Sequence, residues 1–229
     1  MKTIGLLGGM SWESTIIYYR AINQGIKNSL GGLHSAKIVM YSVDFEPIEK
    51  LQHQGDWEAV AALLSKEAKN IQSAGADFLV ICTNTMHKVA PQIENEIDIP
   101  LLHIADATAE TIVRNRLKKV GLLGTVFTME QDFYKGRLIN RYGLDVITPN
   151  SDDRQIVHRI IYEELCLGEV KEDSRSEYLR VIDSLASQGA EAVILGCTEI
   201  GILVNQNDTK VELLDTTELH AKKAVEYAI

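Results

Sequence analysis

The amino-acid sequence predicts an α/β fold of two similar domains, each a mostly parallel four-stranded sheet flanked by helices. Three observations predict it. Short apolar runs alternate with longer amphipathic stretches, which is the pattern of strand–helix units. The apolar runs are nearly continuous, which is typical of parallel strands that are buried on both faces. Several short motifs of the first half also return, in the same order, in the second half.

Eight runs are predicted to be strands because each is short, rich in aliphatic residues and bounded by glycine or polar residues. In chain order they span residues 3–7, 37–42, 78–82, 101–104, 120–123, 145–147, 192–196 and 211–214. Amphipathic stretches whose apolar residues recur at intervals of three and four are predicted to be helices. The clearest of these span residues 56–74, 131–141, 154–167 and 175–188.

The repeat rests on three pairs of motifs. IGLLGGM at residues 4–10 resembles VGLLGTV 116 residues later, and GADFLVICTNT from Gly75 resembles GAEAVILGCTE 114 residues later. LHIADAT and ELLDTT also correspond. The three motif pairs occur in the same order and at nearly the same offset. This favours two similar halves over the general similarity that any two strand–helix units share. The predicted domains are residues 1–104 with 215–229, and residues 105–214.

The repeat also aligns the cysteines. It places Cys82 opposite Gly196, and Thr83 opposite Cys197. Neighbouring residues on an extended chain point to opposite sides. Thr83 is therefore predicted to occupy the position equivalent to Cys197, while Cys82 points into its own domain. A local bulge that turns Cys82 toward the site is the alternative.

Polar residues follow four predicted strands. In open parallel sheets, ligands bind beyond the carboxyl ends of the strands. Hydroxyl, amide and backbone N–H groups there would form a carboxylate receptor. Gly8 and Gly9 are expected to let the backbone approach a small ligand, and their spacing is not the GxGxxG of a dinucleotide site. The segments span residues 8–11, 83–85, 124–125 and 197–199.

Cys197 and His87 have two interpretations each, and two aspartates have one favoured interpretation. Backbone N–H groups at a helix start would lower the pKa of the Cys197 thiol, although a free cysteine is often only a small buried apolar residue. His87 could hydrogen-bond a catalytic group or cap a helix. Asp106 and Asp215 precede predicted helices, and capping is the favoured interpretation for both.

Composition excludes several classes of function. Lysine and arginine number 23 against 32 acidic residues, a net charge of −9, which argues against nucleic acid. The three cysteines have no CxxC spacing, so neither a disulfide framework nor a metal site is expected, and the cytoplasm is the expected compartment. No apolar run approaches the ~18–20 residues of a membrane span. TIGLLGG at the N-terminus predicts a strand rather than a signal peptide.

The motifs resemble those of the aspartate/glutamate racemase family, the cofactor-independent amino-acid racemases, nearly from end to end. The resemblance implies two pseudo-symmetric α/β domains with the active site in the interdomain cleft, where two cysteines flank the substrate α-carbon. It implies no cofactor. The segments that carry it are LLGGMSWEST at residues 6–15, TNTMH at 83–87, LLGT at 122–125, IIYEELCLG at 160–168 and GCTEI at 196–200.

The first-domain motif departs from the family pattern. The family commonly has Cys-Asn-Thr where this chain has Thr83-Asn84-Thr85. The resemblance implies that Cys197 removes the α-proton of the L-substrate and that Thr83 serves the opposite face. A threonine hydroxyl is a very poor base near neutral pH. We therefore expect a racemase of modest rate that is kinetically selective for L-substrates.

The family positions around the substrate are Met10, Ser11, Gln52, Asn84, Thr85, Thr125, Thr198 and Glu199, with Cys82 and His87 as supporting residues. Glu199 is the expected partner of the ammonium group. Gln52 is the candidate for the side-chain carboxylate, and a neutral amide holds a carboxylate less tightly than a guanidinium does. The expected partner molecules are an acidic amino acid, aspartate or glutamate, and a second copy in a homodimer. Alternatives are a non-catalytic acidic-amino-acid binding protein, or a related hydantoin racemase or maleate isomerase.

Overall fold

Eight strands form two separate parallel sheets in the computed structural model, which describes residues 1–229. The strands are β1 Ile4–Gly8, β2 Ile38–Ser42, β3 Phe78–Ile81, β4 Leu101–Leu102, β5 Lys119–Gly124, β6 Asp145–Ile147, β7 Ala192–Gly196 and β8 Glu212–Asp215. The helices are α1 Trp12–Leu30, α2 Phe45–Gln54, α3 Trp57–Ser73, α4 Ala90–Glu94, α5 Ile104–Arg114, α6 Val126–Glu130, α7 Lys135–Tyr142, α8 Ser151–Glu163, α9 Glu172–Ser187, α10 Ile200–Leu203 and α11 Thr216–Ala228. Short 3₁₀ turns span Thr85–Val89, Leu165–Leu167 and Gln206–Asp208. No helix is long and apolar enough to cross a membrane.

The two sheets have the same topology, which confirms the predicted fold class. Their strand orders are β2-β1-β3-β4 and β6-β5-β7-β8, and every pairing is parallel. The chain divides into a first unit of residues 1–104 with 220–229 and a second unit of residues 105–219. Residues 215–219, which the sequence grouped with the first domain, lie in the second unit.

Three predicted helices differ in extent from those observed. The helix predicted over 175–188 is α9, which begins earlier, at Glu172. The predicted helix 131–141 is wrong in its bounds. Thr125 caps an earlier helix, α6, and the chain becomes extended at Gln131 before α7 begins. The predicted helix 154–167 begins earlier, at α8, because the Asn150 side chain accepts a hydrogen bond from the Asp153 N–H. This helix ends at Glu163, and the 3₁₀ turn Leu165–Leu167 that follows it ends at Gly168, whose φ is 76°.

The first sheet is covered on both faces. Leu79 and Ile81 of β3 pack in the core beneath α2 and α3, whereas Val80 and Cys82 pack on the other face against α1 and α11. Complete burial of an aliphatic side chain contributes about 1.5–3 kcal/mol to stability. The alternation follows from the two-residue period of a strand, and it decides which way each residue beyond β3 faces.

The second sheet repeats this arrangement. Val193 and Leu195 of β7 pack in the core beneath α8 and α9, and Cys197 continues the same face. Tyr178 of α9 is fully buried there, and its hydroxyl donates to the Val157 carbonyl at 3.0 Å. Cys197 therefore lies on the face of its sheet that corresponds to the Leu79 and Ile81 face of the first.

Candidate active site

The two central strands of each sheet, β1 with β3 and β5 with β7, are paired in equivalent registers at their carboxyl ends. Ile81 of β3 lies opposite Leu7 of β1, and Leu195 of β7 lies opposite Leu123 of β5. Each of these leucines comes directly before the glycine that ends its strand. The two pairs are therefore equivalent positions of the repeated fold.

This register makes Thr83 the counterpart of Cys197. Each lies two residues beyond its equivalent strand position, and both are nearly buried, with exposed fractions of 8% and 9%. The sheet pairing reaches this alignment independently of the motif comparison. A hydroxyl in the first unit thus occupies the position that a thiol occupies in the second.

Cys82 lies in the core of the first unit. It is fully buried beside Tyr18 and Ile22, and its Sγ lies 3.9 Å from the Val80 carbonyl. Its backbone N–H donates to the Leu7 carbonyl at 2.9 Å, so the ladder continues without a bulge. Burial raises the pKa of this thiol. The alternative in which a bulge turns Cys82 toward the strand end is not what the structure shows.

His87 binds the main chain rather than a catalytic side chain. Its Nδ1 lies 2.8 Å from the Thr83 carbonyl, and the Ile104 N–H donates to its Nε2 at 3.2 Å. Thr85 is the first residue of the 3₁₀ turn that contains His87, and both Asn84 and Thr85 are buried. His87 therefore bears directly on the position of the Thr83 backbone.

Ser14 joins the Met10–Ser11 loop to the end of β3, a role that sequence reasoning missed. Its hydroxyl lies 3.0 Å from the Ser11 carbonyl and 3.2 Å from the Cys82 carbonyl, and it can donate to either. Met10 and Ser11 are themselves buried. A serine in the first turn of α1 is visible in the sequence, but its reach to a strand 68 residues away is not.

The glycines of this loop also serve the packing of the chain itself, and the approach of a ligand to Gly8 and Gly9 stays a prediction. A Cβ on Gly8 would lie 2.4 Å from Thr15 Cγ2. Gly9 has a φ of +94°, and a Cβ there would lie 2.2 Å from the Val43 carbonyl oxygen. The Gly9 N–H donates to Thr15 Oγ1 at 2.8 Å.

In the second unit, Glu199 accepts two hydrogen bonds from its neighbours. The Cys197 thiol donates to Glu199 Oε2 at 2.9 Å, and the Thr198 hydroxyl donates to the same oxygen at 2.7 Å. All three side chains are buried. The short turn that follows β7 thus places a thiol, a hydroxyl and a carboxylate within contact of one another.

The expected lowering of the Cys197 pKa is wrong for this site. Burial, followed by the Glu199 carboxylate and by Cys166, raises the pKa of the thiol well above its usual value. The Glu199 backbone N–H acts in the expected direction but is outweighed. The resting site therefore holds a protonated thiol beside a carboxylate that is positioned to receive its proton.

Thr125 directly follows β5, whose last residue, Gly124, pairs with Gly196 at the end of β7. Its hydroxyl caps α6 by accepting from the Thr128 N–H at 3.3 Å, and it is 4% exposed. The two strands β5 and β7 are close here, because a Cβ on Gly124 would lie 2.7 Å from the Gly196 carbonyl oxygen.

In the first unit, Gln52 is buried in the last turn of α2.

The two aspartates differ from each other. Asp215 is a helix cap, as predicted, because its carboxylate accepts from the Thr217 and Glu218 N–H groups at 2.7 and 3.1 Å. Capping is wrong for Asp106, which forms two 2.7 Å hydrogen bonds to Arg137. The arginine lies 31 residues away on α7, so local spacing could not reveal the pair. No group of three or more His, Cys, Asp and Glu side chains is arranged to hold a metal ion.

Comparison with known proteins identifies the family. A family model described as Asp/Glu/Hydantoin racemase matches residues 7–224. A Yersinia pestis protein assigned to the Asp/Glu racemases is 59% identical over 100% of this chain and 99% of its own, with a TM-score of 0.93. An aspartate racemase homologue from Pyrococcus horikoshii is 36% identical over 100% and 99% of the two chains, with a TM-score of 0.83. The broad specificity amino-acid racemase RacX of Bacillus subtilis is 24% identical over 97% of this chain and 96% of its own. Fold, motifs and relatives agree, and the chain belongs to the Asp/Glu/hydantoin racemase family of isomerases.

Proposed function

We propose that the protein racemises acidic amino acids, aspartate or glutamate, without a pyridoxal cofactor. The observation that carries the proposal is the equivalence of Thr83 and Cys197 in the registers of the two sheets. Inversion at an α-carbon needs a proton acceptor on one face and a donor on the other, which equivalent positions of a duplicated fold can supply. The names of the relatives, which include Asp/Glu racemase and aspartate racemase homologue, support the substrate class.

The first step in this proposal is activation of the thiol. Glu199 Oε2 accepts the Cys197 proton along the hydrogen bond that the resting site already contains. The substrate ammonium, for which Glu199 is also the proposed partner, offsets the negative charge that raises the pKa of Cys197. The thiolate then takes the α-proton of the L-substrate and becomes a thiol again.

Thr83 completes the inversion in the second step. Its hydroxyl gives a proton to the opposite face of the α-carbanion, forming the D-product. The proton that Glu199 received from Cys197 returns through water to the Thr83 oxygen. All three side chains thereby recover their starting states, and no redox change or external reactant is needed.

The asymmetry of the pair makes the enzyme kinetically selective. A threonine hydroxyl passes on a proton, but it is a very poor base, so removal of the α-proton from a D-substrate is slow. The two enantiomers have equal free energies in solution, and their equilibrium ratio stays near unity. The selectivity is therefore one of α-proton exchange, because an equilibrium ratio of one requires equal kcat/KM for inversion in the two directions. The overall inversion is slower than a pair of thiols would allow.

The remaining positions are proposed to bind the substrate. Buried hydroxyl and amide groups hold a carboxylate well because their hydrogen bonds form away from competing water. Gln52 is proposed to bind the side-chain carboxylate, and its neutral amide admits glutamate as well as aspartate. The other proposed contacts are Met10, Ser11, Asn84, Thr85, Thr125, Thr198 and Glu199.

The first test offers L-Asp, D-Asp, L-Glu and D-Glu separately in D₂O, with the α-proton followed by proton NMR and the enantiomers separated by chiral chromatography. We expect exchange and inversion of at least one L-substrate, and loss of both in Cys197→Ser, which conserves size while removing the thiolate. The matched control is Cys82→Ala, which changes a cysteine whose side chain lies in the core of the first unit. Unchanged turnover in Cys197→Ser would refute the assignment, and activity on a hydantoin alone would replace the substrate class.

A further inference from the structure

His87 ties the backbone of Thr83 to the start of a neighbouring helix. The ring is 1% exposed, and each of its nitrogens has a main-chain partner. Because Nε2 accepts the Ile104 N–H at 3.2 Å, Nδ1 carries the ring proton and donates it to the Thr83 carbonyl at 2.8 Å. The imidazole is neutral in this arrangement and bridges the ends of β3 and β4.

The surroundings of the ring hold it in this state. His103 packs against His87 with ring centroids 4.5 Å apart, and His220 lies at 5.8 Å. His220 is fixed in turn by the Tyr18 hydroxyl and the Leu102 carbonyl, each at 2.8 Å. Burial and the two neighbouring histidines lower the pKa of His87 well below its usual value. The ring is consequently a neutral, rigid brace and is unsuited to act as an acid or a base.

The equivalent turn of the second unit, which follows β7, contains no imidazole. The position equivalent to His87 in the repeat is Gly201, where a Cβ would lie 2.4 Å from Asp215 Oδ2. The Cys197 carbonyl, which is equivalent to that of Thr83, accepts the Ile200 backbone N–H at 3.1 Å. The Thr83 carbonyl is thus held by a side chain, and the Cys197 carbonyl by a main-chain N–H.

We propose that His87 is a positioning residue that fixes the Thr83 backbone and thereby aims the Thr83 hydroxyl at the substrate α-carbon. The inference rests on the proposed function, in which Thr83 delivers the second proton. A weak proton donor depends strongly on its placement, since a displacement of about 1 Å can cost on the order of a hundredfold in rate. His87 should thus govern the step of Thr83 and leave the step of Cys197 alone.

The two steps are separable in D₂O. When Cys197 removes the α-proton of an L-substrate and returns a solvent deuteron to the same face, the product is deuterated L-substrate. When Thr83 delivers the deuteron, the product is the D-enantiomer. The ratio of α-proton exchange to inversion therefore reports on Thr83 alone, and a general loss of folding or of substrate binding lowers both rates together.

Two substitutions separate the two hydrogen bonds of the ring. His87→Asn keeps an N–H near the position of Nδ1 and loses the partner of Ile104. His87→Gln keeps an acceptor near the position of Nε2 and loses the donor to Thr83. Each removes one buried hydrogen bond, so the two should lower Tm by similar amounts and serve as controls for each other.

We expect His87→Gln to raise the exchange-to-inversion ratio about tenfold with an L-substrate, and His87→Asn to keep it near the wild-type value. Exchange and inversion that fall by one common factor in His87→Gln would show a purely structural role and overturn the inference. A raised ratio in His87→Asn would overturn it as well, and this holds even if His87→Gln fails to fold. Absence of exchange in the wild-type protein would instead remove the proposed function on which the inference rests.

Discussion

At the level of single residues, the proposed mechanism requires a thiol of raised pKa, that of Cys197, to serve as a base. Cys197 is buried and hydrogen-bonded to Glu199, and both conditions favour the protonated thiol. The same carboxylate accepts the hydrogen bond of the thiol. In the proposed mechanism Glu199 therefore has two opposing effects: its charge disfavours the thiolate, and its oxygen accepts the proton when the thiolate forms.

Glu199→Gln separates these two effects. The substitution keeps the size of the side chain and removes its charge, so the pKa of Cys197 should fall. Alkylation of Cys197 by iodoacetamide, followed by peptide mass spectrometry, should begin at lower pH than in the wild type. Racemisation should nevertheless slow by about 10²-fold, because the proton acceptor is lost. A pH profile of alkylation that is unchanged, or displaced to higher pH, would contradict the role given to the carboxylate.

At the scale of elements, the ends of the strands are held by small residues that let neighbouring segments approach closely. Thr15 on α1 fills the space above Gly8 and hydrogen-bonds the Gly9 N–H. Ser14 links the same turn to the end of β3. The loop that carries Met10 and Ser11 is thereby held by the first turn of α1.

Gly8→Ala should destabilise the protein by about 1–3 kcal/mol, because the new methyl group would overlap Thr15 Cγ2. Thr15→Ala removes that methyl group together with the hydroxyl, whose oxygen would lie 2.7 Å from the added carbon. The double variant should therefore lose less than the sum of the two single changes in urea unfolding. Strict additivity would mean that the overlap of Gly8 with Thr15 does not determine the stability of the loop.

At the scale of the whole molecule, local pattern predicted the architecture well and long-range contacts poorly. All eight strands follow from apolar periodicity among neighbouring residues, and the repeat follows from motifs that recur along the sequence. Three features depend on contacts or burial that only the folded chain creates. They are the hydrogen bonds of His87 to the main chain, the Asp106–Arg137 ion pair and the raised pKa of Cys197. The candidate site residues could be named from sequence, but their hydrogen-bond partners could not.

The first unit should lose stability in mild acid. Burial lowers the pKa of His220 to about 4, below the ~6.5 of an exposed histidine. Between these values the unfolded chain binds the additional proton, so the free energy of unfolding decreases as pH falls from 6.5 to 4, by about 3 kcal/mol for this residue. His87 acts in the same direction. Urea unfolding at pH 7.5 and pH 4.5 should show a smaller decrease in His220→Gln, and an equal decrease would contradict the assignment.

In the proposed mechanism Thr83 and Cys197 form an asymmetric acid–base pair. The initial rates of α-proton exchange in D₂O from the L- and D-enantiomers of one substrate distinguish this pair from a symmetric one. We predict that the wild-type protein exchanges the L-enantiomer faster, by at least about 10²-fold. Thr83→Cys should increase exchange from the D-enantiomer and narrow this difference, since a second thiol supplies the missing base. Equal wild-type rates from the two enantiomers, or a Thr83→Cys variant with no gain on the D-substrate, would contradict the account.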